Sequence, residues 1–351
     1  MKITLGIGLA VMALGLEGDT PQYTCKAGDT RSCAWTRTTE TEIKSSTLSI
    51  MGENRDIGSD STSTTSLTLE FNEEIKEANE DGTPAQIVRT YGTITQNQDR
   101  EGLESTDEMR VVDNDATSQL EGQTVVFKLD QDSEEWDAAF DEESTGEAEW
   151  LEELSPRIDL AEFLPEGDEA PVLGASWDLD PELLAHLMNP GGEVMTAEAS
   201  EPDDSPEGSI SLTVPTGGID GHFDALEGEL AATFSEIVED GGRRLAKIVI
   251  EADLSADIDL TDELEEKAAE RGAEESYSEA TSSNTIEGEI TLLWDLEANC
   301  VASVSGEMAG TVEFDAQWSI NAGGMDLDVA VATEAVVEYA IAATFGDGMG
   351  D

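Results

Sequence analysis

Between residues 286 and 345, apolar and polar side chains alternate almost one for one. Ile286, Ile290, Leu292, Trp294 and Leu296 hold even positions. After Glu297-Ala298-Asn299 the even track resumes with Cys300 and runs through Met308, Val312, Phe314 and Trp318 to Ile320. Asn321-Ala322-Gly323-Gly324 intervenes, and the apolar track becomes odd, from Met325 to Phe345. The residues between are mostly Glu, Asp, Ser, Thr and Gln. A period of two sustained this long marks strands with one buried face, and here it predicts an antiparallel meander.

The same period recurs upstream. Ala246 to Leu260 alternates with Glu251, Asp253, Ser255, Asp257 and Asp259, and a strand over Glu227 to Val238 precedes it across the hairpin turn Glu239-Asp240-Gly241-Gly242. Shorter strand signals lie at Ile43 to Ile50, Leu67 to Phe71, Ile87 to Thr93, Val125 to Leu129, Trp136 to Phe140 and Ile210 to Val214. Gln96 to Glu108 reads as a charged loop and Ser276 to Asn284 as a Ser/Thr loop. Glu147 to Pro165 reads as short helical pieces. Asp180-Pro181-Glu182 opens a clearer helix, with an N-cap and a proline in its first turn. Leu183, Leu184, Leu187 and Met188 form its apolar stripe, and Pro190-Gly191-Gly192 stops it. Asp262 to Glu275 reads as an exposed helix, and residues 193 to 208 as an acidic linker.

These elements predict a mainly β (α+β) fold: a long, curved antiparallel sheet or half-barrel with a few short helices. The organisation expected is a leader over 1–15, an N-terminal β-rich lobe over 34–192 and a C-terminal meander over 209–345, with one sheet shared by the two lobes left open. Curvature follows from length. Residues 300 to 320 would span roughly 70 Å if flat, at about 3.3 Å per residue. Gly306 and Gly310 are the expected bend points. A curved, one-sided sheet presents an apolar concave face, which helices must cover or a ligand must fill.

Charge narrows the partners. The chain of 351 residues has 80 Asp and Glu against 17 Lys and Arg, a formal net charge of −63. Phosphate contacts need clustered Lys and Arg, so nucleic acid and anionic membrane surfaces are not expected partners. The charge repels itself at low salt and is screened at high salt, which suggests a halophilic setting; an acidic exported protein kept soluble is the alternative. Met1-Lys2 precedes an uncharged apolar run from Ile3 to Leu16, and Ala13-Leu14-Gly15 offers small residues for cleavage. That pattern reads as a secretory signal, placing the mature chain in a periplasmic or extracellular compartment. Disulfides are permitted there, and Cys25 and Cys33 lie close enough in sequence to be expected to pair. Cys300 reads as a small buried hydrophobe.

Candidate chemistry is sparse. His186 and His222 are the only two histidines, and neither sits in a nucleophile motif, so both read as structural. No phosphate loop or dinucleotide fingerprint is present. Asp141, Glu143, Thr145 and Glu152, with Gly146 between them, have the spacing of a calcium loop, making calcium the one candidate cofactor. The six tryptophans read as core. In the middle, Phe163-Leu164-Pro165-Glu166-Gly167, Leu173-Gly174-Ala175-Ser176-Trp177 and Asn189-Pro190-Gly191-Gly192, with Trp294-Asp295 later, mark a segment over residues 115–300 that resembles an uncharacterised family of secreted bacterial β-rich proteins. That resemblance implies export and a β-leaning fold, and no activity. The expectation is therefore an exported, non-enzymatic protein that binds a lipid or other apolar small molecule or serves the cell envelope. A calcium-dependent surface protein and an outer-membrane β-barrel are the alternatives.

Overall fold

The structure, a computed structural model, describes residues 20–56, 61–101, 114–130, 133, 135–152, 154–156, 160–165, 171–192, 194–195, 222–270, 275–322 and 325–347. The predicted leader and the predicted strand at 210–214 lie outside the described residues. Among the described residues, thirteen strands form one antiparallel sheet: β1 (Thr30–Ile50), β2 (Glu53–Asp56), β3 (Ser61–Ala78), β4 (Pro84–Glu101), β5 (Asn114–Thr117), β6 (Thr124–Leu129), β7 (Trp136–Phe140), β8 (Ser176–Leu179), β9 (Glu227–Asp240), β10 (Arg243–Asp259), β11 (Glu275–Asp295), β12 (Cys300–Ala322) and β13 (Met325–Asp347). Two helices accompany them there, α1 (Leu184–Met188) and α2 (Thr261–Glu270), with four single 3-10 turns.

Across the sheet the order is β7-β6-β4-β3-β1-β13-β12-β11-β10-β9-β8, with β2 and β5 as side strands on β1 and β4. The sheet is not closed into a barrel, and its edges are the short β7 and β8. The mainly β, half-barrel fold is thus as expected from the alternation. β1 pairs along its length with the last strand, β13, so one sheet runs through both expected lobes.

Several strands run longer than their sequence signals. β4 continues through Gln96 to Glu101, and β11 begins at Glu275, so the described part of the first expected loop and the whole of the second are strand. Ser282 and Asn284 stand on the inward track of β11 where an apolar side chain would advertise a strand, and both are buried. β1 hides its period for another reason. Its pairing with β13 slips between Ile43 and Ser45, a bulge that moves the inward track from odd positions (Cys33, Trp35, Thr41) to even ones (Ser46, Leu48). β8 is too short for its alternation to show.

Glycine permits a close backbone approach between β12 and β11. A Cβ on Gly310 would lie 1.7 Å from the carbonyl oxygen of Thr285 on β11. Only a residue without a side chain lets the two backbones approach so closely.

The inward face is covered by the chain between β7 and β9. Leu151, Leu160, Phe163, Leu184, Leu187 and Met188 are all buried against it. The helix predicted at Asp180 is there, as a 3-10 turn Pro181–Leu183 running into α1; Asp180 Oδ1 accepts from the Glu182 amide at 3.0 Å. Glu147 to Pro165 contributes single 3-10 turns. Trp177 Nε1 donates to the Phe163 carbonyl at 3.0 Å, tying this cover to the β8 edge. At the end of the sheet where β1 begins, residues 22–28 cross from strand to strand. Gln22 O accepts from Trp294 Nε1 (2.8 Å), and the Thr24, Cys25 and Gly28 amides donate to Asn299, Gly82 and Ile75 carbonyls (3.3, 2.8 and 2.7 Å).

Candidate functional site

The cover leaves a cavity of about 930 Å³ against the sheet. Its floor is built by the period-two pattern. Trp35 and Arg37 of β1 stand directly beside Leu69 and Leu67 of β3, and all four point inward into the cavity with Gln96 of β4. The roof is α1 and its exit, through Ala185, His186, Asn189 and Gly192, followed by Val194 and Met195. One side is closed by His222, Phe223 and Asp224 and by Glu263 of α2. Trp35, Leu67, Leu69, Val194 and Phe223 are buried apolar residues, so much of the lining is greasy, with polar groups set among it.

Two polar groups hold the roof. Arg37 Nη1 donates to the Met188 carbonyl (3.3 Å) and to Asn189 Oδ1 (2.7 Å). A cation at the last carbonyls of a helix is favourably placed against its dipole. His186 on α1 contacts Glu162 of the 3-10 turn Ala161–Phe163 through Nδ1. His222 Nε2 lies 3.4 Å from Glu263 Oε2. Both histidines, read as structural from the sequence, therefore line the same cavity, each beside a carboxylate from a different element. The only trace of this in the sequence is the scarcity of histidine itself; their convergence is a matter of topology.

Nearer the β1 start, the interior is solid. Arg89 of β4, wholly buried, donates to Glu73 Oε1 from Nε (3.0 Å) and Nη2 (2.7 Å). Its remaining donors reach Tyr91 Oη (3.4 Å) and the carbonyls of Ser155 (2.9 Å) and Pro156 (2.8 Å). Phe71 and Phe127 lie 4.8 and 4.9 Å from its Cζ, within cation–π range. Burial opposes the charge, but Glu73 and then Tyr91 more than offset it, so the guanidinium is held charged. Through Ser155, which also lines the cavity, this cluster fastens the cover to the sheet.

The expected calcium ligands Asp141, Glu143, Thr145 and Glu152 follow β7; among the described residues there is no group of three or more His, Cys, Asp or Glu that could hold a metal ion. Asp141 Oδ1 instead accepts from the Glu143 and Ser144 amides (3.1 and 2.8 Å), and the Thr145 amide donates to Gln123 Oε1 (3.0 Å). The loop follows strand β7 and leads to one 3-10 turn, whereas a calcium loop of this type sits between two helices. Hydrogen bonding to Ser144 holds the Asp141 carboxyl below its usual range.

Cys25 and Cys33, expected to pair, are both buried. Cys33 sits within β1, beside Phe71 of β3 and Phe345 of β13, while Cys25 belongs to the segment crossing the strand ends. Burial, and then the Glu73 carboxylate, push the Cys33 thiol far above its ordinary range. Cys300, expected to be buried, is half-buried at the start of β12.

No family model matches the chain. No curated protein matches it. Among solved structures it is similar to the outer membrane protein OprG from Pseudomonas aeruginosa, at 9% identity and a TM-score of 0.20 over 93% of this chain and 99% of that one. It is also similar to an outer membrane channel from Pseudomonas putida F1, at 6% identity and a TM-score of 0.24 over 93% and 98%. At these scores the likeness carries no argument about shape or function.

Proposed function

We propose that the protein is an exported, non-enzymatic binding protein that holds an apolar small molecule between its curved sheet and the α1 cover. The observation that carries this is the cavity itself: about 930 Å³, floored by Trp35, Leu67 and Leu69. Small-molecule sites are typically concave, largely apolar and roughly 300–1,000 Å³, with a few polar groups that orient the ligand. Arg37, Gln96 and Asn189 fill that last part. Export rests on the leader-like residues 1–15.

The outward face supports an aqueous setting rather than a lipid one. Glu251, Asp253 and Asp257 of β10, Glu287 and Glu289 of β11, and Glu307, Glu313 and Asp315 of β12 are exposed there. A transmembrane barrel carries the opposite arrangement, an apolar band facing lipid, and leaves no strand edge open.

The test is direct. Protein purified without denaturant is extracted into organic solvent and the extract examined by mass spectrometry, and the emptied protein is titrated with the neutral fluorophore N-phenyl-1-naphthylamine. Recovery of an apolar molecule and saturable uptake, weakened by Leu67→Trp, support the reading. Non-saturable uptake that Leu67→Trp leaves unchanged sinks it.

A further inference from the structure

The chain has two histidines, and both reach the cavity. Each bridges separate pieces of its enclosure. His186 on α1 contacts Glu162 on the preceding turn, and His222 contacts Glu263 on α2. The elements they join are not neighbours within one regular structure, so these contacts help decide whether the enclosure stays shut. We propose that the two histidine–carboxylate contacts form a proton-controlled latch on the cavity: closed in mildly acidic solution, loosened as pH rises.

This rests on the binding reading above and adds its regulation. A histidine–carboxylate contact attracts as an ion pair only while the imidazole carries its proton, and imidazole is the side chain whose charge most readily responds to pH near neutrality. The other charged groups lining the cavity, among the described residues, are Arg37 and Asp224. Asp224 lies two residues from His222, and α2 also carries Asp262, Glu265 and Glu266. These carboxylates share the sign of Glu263. α1 itself has no other titratable side chain, and Arg37 is occupied by the end of that helix. The side chains of the two pairs are 18% to 38% exposed. Solvent therefore screens them, and each contact changes the opening equilibrium by about threefold, both together by about tenfold.

The experiment measures dissociation of N-phenyl-1-naphthylamine by stopped flow at about pH 5.5 and about pH 8.5, in about 0.5 M potassium chloride throughout. Wild-type protein should release the probe about tenfold more slowly at the lower pH. His186→Gln/His222→Gln should release it at one fast rate at both. Glu162→Gln, which keeps both imidazoles, should cut the ratio to about threefold. Equal wild-type rates at the two pH values overturn the latch while leaving the binding reading intact, as does a double variant that keeps the full ratio. Non-saturable uptake at both pH values overturns the binding reading itself, and the latch with it.

Discussion

Arg89 and Glu73 face each other across β4 and β3 as a direct pair, joined by two hydrogen bonds in the solid end of the half-barrel. Removing one member strands the other's charge in the interior. Glu73→Gln should therefore destabilise by about 3–5 kcal/mol, whereas the apolar double replacement Arg89→Met/Glu73→Leu should cost less than that single change. Urea unfolding midpoints at fixed salt decide it. A Glu73→Gln midpoint equal to wild type would show that the pair is not isolated from water.

The same interior protects a thiol. With Cys33 buried and its thiol pushed upward, only the half-buried Cys300 should react promptly with a disulfide reagent in the native protein, because the thiolate is the reacting form. Cys300→Ser should abolish that fast phase. After unfolding without reductant, all three cysteines should titrate; a count of one would instead establish the Cys25–Cys33 bond that their spacing first suggested.

Gly310→Val should lower stability by about 1–3 kcal/mol, the usual range for overpacking. The added Cβ would collide with the Thr285 backbone, which cannot rotate away as a side chain could. Ala309→Val, on the exposed track of the same strand, is the control and should be close to neutral. Thermal or urea unfolding of the two variants side by side checks the contrast.

Asp259 Oδ1 accepts from the Thr261 amide at 3.0 Å, at the start of α2. Bonding from Thr261 holds this carboxyl below its ordinary range. A depressed folded-state pKa means the contribution is complete above the unfolded value and is lost as pH falls through the folded one. Protection of the first α2 amides against hydrogen exchange should hold from neutral pH down to about 4 and drop below it. Asp259→Ala should lose that protection already at neutral pH, and Asp259→Asn should keep it.

Salt should matter more than pH for the molecule as a whole. With a net charge of −63 and a convex face dense in carboxylates, raising potassium chloride from about 0.1 to about 1 M shortens the screening length from about 10 to about 3 Å. The thermal midpoint should rise across that range and respond little to added sucrose. A midpoint that falls with salt would refute adaptation to saline conditions.

What the chain by itself determined is the sheet and its two faces. Period-two alternation over Ala246 to Leu260 and over Ile286 to Phe345 carries its own strand assignment, because each residue's side is set by its parity. The helix at Asp180 was equally legible, through a local cap and a local stop. Two kinds of feature were not local. The inward Ser282 and Asn284, and the bulge at Lys44, broke the expected pattern, and only long neighbouring strands with matching hydrogen bonds keep those segments extended. The cavity is the other kind. Trp35, Leu67, His186, His222 and Glu263 are scattered along most of the chain, and no spacing relates them. They meet because β1 pairs with both β3 and β13 and because the chain between β7 and β9 folds back over the inward face. Tertiary structure alone decided that the apolar track of the sheet would be partly filled, by Arg89 and the cover, and partly left as a chamber with both histidines at its wall.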